Sequence, residues 1–85
     1  MGEQGNERSI QLYDVALWYV WPSLFPDNVG YIESNGTYAA VMLFMERCRV
    51  EKVAYATARL VGHPRIDRWQ RLYFPLTVQK RGRKW

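Results

Sequence analysis

One histidine, one cysteine and eight carboxylates are all that the 85 residues offer for proton transfer, nucleophilic attack or metal binding. His63 stands beside Pro64 in a turn, with no serine or cysteine motif near it, and a lone loop histidine is a solvated residue rather than a base. Cys48 lies near the end of an apolar run between Arg47 and Arg49. Nothing else near it in sequence would activate it as a nucleophile, so its expected role is packing. Asp14, Asp27, Glu33 and Asp67 are scattered, and no spacing forces two of them together for acid–base work. A single cysteine makes neither an intrachain disulfide nor a zinc cluster. A nucleophile elbow, a phosphate-cradling glycine loop and a His-Glu zinc helix are all missing from the sequence. The chain therefore reads as non-enzymatic, with no cofactor, metal or small-molecule substrate expected.

The chemistry it does offer is that of contact. Hydrophobic residues make up 48% of the chain and aromatic ones 15%, including four Trp and six Tyr, which is too apolar for a disordered segment. A domain of this size buries only about 60% of its unfolded surface, so part of this apolar content should remain outside for a partner. Two groups of residues stand out. Tyr55, Trp69, Arg71 and Tyr73, with Tyr13 and Arg59, would share the face of a sheet turned away from its helix. Tyr38, Met42 and Met45 lie on that helix, whose circumference a single sheet cannot cover. Trp, Tyr and Arg dominate binding energy at protein interfaces, and methionine adapts to irregular surfaces. The bland alternatives are cross-strand aromatic pairing that only stabilises the sheet, and ordinary core packing of the helix.

The expected function is a small protein-binding module: an accessory subunit or adaptor that docks on a larger protein or associates with itself as a homodimer. The alternative is an RNA- or DNA-binding module, stacking bases on the sheet aromatics and neutralising phosphates with Arg59, Arg71, Lys80, Arg81, Arg83 and Lys84. An inhibitor of a host complex, encoded by a phage or mobile element, would present the same kind of surface as the adaptor.

Charge bears on that choice. Twelve Lys and Arg against eight acids give a net charge of +4, and a basic excess favours acidic partners. Residues 80–85 supply four of the cations, however, so the body of the chain is close to neutral. That basic tail reads as a solubilising segment ahead of a nucleic-acid contact. The polar start, residues 1–8, reads as a leader rather than a signal peptide, and no apolar run approaches the ~20 residues of a membrane span. A reducing, cytoplasmic setting without a membrane partner is expected.

These residues have to be positioned by one α+β domain over residues 9–79, with three or four antiparallel strands and one helix in β-β-α-β-β order. Ser9 to Trp21 is rich in β-branched and aromatic residues and is apolar on both faces toward its end, as in a central strand. Asp14 interrupts it. That residue is expected near the strand's start where solvent reaches it, with Arg59 or Arg71 as its partner if it is buried. Two prolines make a loop of residues 22–28, whose Leu24 and Phe25 are expected to tuck over the sheet edge rather than to project as a finger. Val29 to Glu33 forms the hairpin partner. Ser34 to Thr37 offers side-chain oxygens as N-caps for a helix from about Thr37 to Arg49. Val53 to Val61 alternates as a strand whose Ala54, Ala56 and Ala58 would let the helix lie close. Arg68 to Val78 returns beside it, with Pro75 marking an edge.

Overall fold

A computed structural model of the chain describes residues 9–74. The leader, the tail with Lys80, Arg81, Arg83 and Lys84, and the expectation attached to Pro75 lie outside the described residues. Four strands and one helix follow the expected order: β1 (Gln11–Trp18), β2 (Asn28–Ser34), α1 (Thr37–Cys48), β3 (Lys52–Leu60) and β4 (Asp67–Tyr73). All pairings are antiparallel and the spatial order is β2-β1-β3-β4, so among the described residues β1 is central and β2 and β4 are the edges. The helix lies across one face only.

Asp14 explains which face. A carboxylate on the covered side would have to be desolvated, so the even residues of β1 turn outward and Tyr13, Val15 and Leu17 go under the helix. Tyr13, expected on the uncovered face, is therefore a core residue. Its neighbours there are Ile32 from β2, Val53, Ala56 and Ala58 from β3, and Ala40, Val41, Phe44 and Met45 from α1. Ala54 of β3 is only half-buried, and Val53 takes the core position there. The other two β3 alanines do what their size suggests: Ala56 and Ala58 are fully buried beneath the helix. Gly30 does the same on β2, directly under the Phe44 ring.

Alternation slips once. Arg71 has φ 56, the Ala54–Arg71 pair is missing from the ladder, and beyond this point Leu72 packs on the core opposite a buried Val53. That kink breaks the regularity of β4 near its end.

The helix ends are closed by backbone rather than by the expected side-chain caps. Gly36 occupies the N-cap with φ 150 and no side-chain cap bond, a conformation that glycine tolerates best. Ser34 is buried and donates its hydroxyl to the Gly36 carbonyl at 3.2 Å. At the other end Arg49 is left-handed, φ 58; its N–H reaches the Glu46 carbonyl, and that of Val50 reaches Met45. The start of the helix is tied sideways to β4, where Thr37 Oγ1 donates to Asp67 Oδ2 at 2.7 Å. Arg65 Nε donates to the other carboxylate oxygen at 3.1 Å.

Candidate interaction surface

The uncovered face of the sheet is built by register. Cross-strand partners share a face, so Asp14 brings Tyr31 and Arg59 beside it, Ala16 brings Val29 and Thr57, and Trp18 brings Tyr55. Leu12 and Val61 continue the face at one end, where the Val61 N–H donates to the Leu12 carbonyl. At the other end three rings form a cluster. Trp18 meets Tyr55 edge-on at 5.3 Å, and Trp21, three residues past Trp18, folds back to stack on Tyr55 at 4.0 Å and 19°. Trp21 also lies edge-on to Trp18 at 6.2 Å. Such pairs add about 0.5–1.5 kcal/mol each beyond their buried area, which makes the cluster a fixed platform.

Asp14 sits in mid-strand rather than at the strand's start, but solvent reaches it there, and Arg59 is its partner: Nη2 to Oδ2 is 3.1 Å, with both side chains more than a third exposed. The pair neutralises the middle of the face. Glu33 on β2, and Arg68 and Lys52 toward β4, add charges of both signs at the sides of the face.

Beyond the rings, the loop between β1 and β2 projects. Its base is fixed: the Asp27 N–H donates to the Leu17 carbonyl at 2.8 Å, and the Tyr19 N–H to Asp27 Oδ2 at 2.7 Å. The Asn28 amide donates to the Tyr19 hydroxyl. At its tip Leu24 and Phe25 are 85% and 74% exposed, so they do not tuck over the sheet edge.

The residues expected to make the interface do not form one patch. Met45 is fully buried and belongs to the core, because it falls on the helix stripe with Val41 and Phe44. Met42 is half-buried against that core. Trp69 pairs with Ala56 and so lies on the helix side, not on the uncovered face; its ring meets Tyr38 edge-on at 5.8 Å. Tyr38, 52% exposed, and Trp69 thus form a second, smaller aromatic site at the start of the helix. Tyr55 is on the uncovered face, and so is Tyr73, which follows the core-packed Leu72 and pairs with Lys52, whereas Arg71 is exposed at the kink of β4.

Sequence reasoning passed over Trp18, Trp21, Val29 and Tyr31. The signal for Val29 and Tyr31 was their alternation with Ile32 and Ser34; that for the two tryptophans was their spacing across the strand end.

His63 is exposed in the β3–β4 turn, where its N–H donates to the Leu60 carbonyl at 2.9 Å. Among the described residues no three His, Cys, Asp or Glu side chains converge as metal ligands, and no helix is long and apolar enough to cross a membrane. No family model matches the chain, and no curated protein or solved structure matches it either.

Proposed function

We propose that the chain is a non-catalytic protein-binding module that docks on a larger protein through the uncovered sheet face and the loop tip beside it. The observation that carries this reading is the pairing of a fixed aromatic platform, Trp18, Trp21 and Tyr55, with Leu24 and Phe25 held out on a hydrogen-bonded base. An ordered apolar projection costs little entropy to bind, and burying two such side chains contributes about 1.5–3 kcal/mol each.

Charge favours protein over nucleic acid as the partner. Between residues 9 and 74, seven Lys and Arg face six Asp and Glu, and on the uncovered face Arg59 is already engaged by Asp14. A phosphate backbone would meet Asp14 and Glu33 there beside Lys52, Arg59 and Arg68, a mixed face that supports aromatic contact ahead of phosphate recognition.

The test is to recover the partner from the native source and repeat the capture with Leu24→Asp and Phe25→Asp variants. Both should keep the wild-type melting temperature and lose the partner, and wild-type capture should persist at high salt. Capture that survives both substitutions, or that vanishes steeply as salt rises in the manner of nucleic-acid binding, would overturn the proposal.

A further inference from the structure

The two edges of the sheet are not equivalent. β4 is blunted by the left-handed Arg71 and the gap it leaves in the ladder. Among the described residues β2 carries none of the usual protections: its seven residues pair with β1 without a break, include no proline, lysine or arginine, and hold one charge, Glu33. A groove of about 670 Å³ runs along it, lined by Tyr31, Ile32, Glu33, Leu43, Glu46 and Arg47, with Leu12 of β1 beside Glu33. Consecutive β2 residues, which point to opposite faces, all line this groove, so it follows the free edge of the strand and reaches across to the second half of α1.

We propose that β2 is the seam of a symmetric homodimer. It pairs antiparallel with β2 of a second copy about a two-fold axis at Tyr31, joining two four-stranded sheets into one of eight strands. Three observations single out a second copy as the occupant. First, with β4 blunted, a head-to-tail β2–β4 chain of molecules is disfavoured, and β2 against β2 is the isologous arrangement that closes. Second, centring on Tyr31 is the register that pairs all seven residues. It sets Asn28 opposite Ser34, Val29 opposite Glu33 and Gly30 opposite Ile32, so like charges do not meet and two Tyr31 rings lie together. Third, the groove's helical wall carries one acid and one base side by side, both exposed. The two-fold axis brings Glu46 and Arg47 of each copy toward Arg47 and Glu46 of the other, a self-complementary pair.

Interface area places the seam in a size class. Seven strand residues span about 24 Å. With the exposed parts of Val29, Tyr31 and Leu43 they reach only the lower end of stable interfaces, about 1,000 Å² in total. A dimer that exchanges freely follows.

Sedimentation equilibrium of the full chain over a wide concentration range should show a monomer–dimer equilibrium. Arg47→Glu should weaken it about tenfold, Glu46→Arg likewise, and the double exchange E46R/R47E should restore it, because the reciprocal pairs re-form. These positions are solvent-exposed on the helix, so the variants keep the fold. Spin labels then locate the seam in a Cys48→Ser background. Backbones at Val29→Cys should approach to about 15 Å across the seam, whereas those at Gln70→Cys on β4 should stay about 43 Å apart, with about 34 Å from seven strand spacings and about 27 Å along the strands. Phe25→Asp, which disables the docking loop, should leave the dimer unchanged, so the two proposals fail separately. A monomer at every concentration, a double exchange as weak as the single ones, or a short Gln70 distance overturns the inference.

Discussion

Alanine at Gly30 would set a methyl carbon 2.9 Å from Cε1 and 3.0 Å from Cζ of Phe44, closer than carbon atoms pack. The ring cannot simply swing aside, because Phe44 is buried among the core residues of α1 and β3. Inserting a methyl group into a filled core typically costs about 1–3 kcal/mol. Against this, Gly30 does not have a positive φ, so alanine there also restricts the unfolded chain and returns about 0.4–1 kcal/mol. The net expectation is a loss of about 0.5–2 kcal/mol, a fall in melting temperature of roughly 4–8 °C per kcal/mol for a domain of this size. Urea titration at a concentration well below dimerisation is the assay, with Phe44→Leu as the second mutation. That change alone opens a cavity and destabilises; combined with Gly30→Ala, the new methyl group occupies part of it. The double-mutant cycle should therefore show a favourable coupling of about 0.5–2 kcal/mol. Gly30→Ala as stable as the wild type, or strictly additive with Phe44→Leu, would refute the claim that helix–sheet spacing is set by this contact.

Three further outcomes are expected. Arg49→Gly relieves a left-handed non-glycine residue at the helix end and should stabilise by about 0.5–1 kcal/mol in urea titration. The hydroxyl of Thr37 holds the Asp67 carboxyl below its usual 3.8; partial desolvation opposes this and Arg65 assists it. A depressed folded pKa contributes stability above pH 3.8 that is lost as pH falls through the folded value. The melting-temperature difference between the wild type and Asp67→Asn should accordingly be constant near neutrality and shrink below about pH 4. The Asp14–Arg59 pair spans the centre of the sheet but is exposed to solvent screening. Its coupling in an Asp14→Asn, Arg59→Met cycle should stay under about 1 kcal/mol and fall with added salt.

Local features were legible in the sequence because each depends on nearby residues. The proline-rich break at residues 22–26, the apolar helix run and the alternation of β3 define the β-β-α-β-β order, and the alanines of β3 already mark where a helix can approach. Asp14 even carried the clue to which face is covered, since a charge in a central strand must turn away from the core. What tertiary structure alone decided was register and its consequences. Trp69 and Tyr55 look interchangeable as strand aromatics until the Ala56–Trp69 pairing sends one under the helix beside Tyr38 and leaves the other stacked with Trp21. Side chains alternate with a period of two, so a single step in register, or one left-handed residue such as Arg71, reverses a strand's faces at no cost visible in composition. The same holds for Leu24 and Phe25. Their hydrophobicity predicts burial, but the hydrogen bonds that fix the loop at Asp27 leave them in solvent.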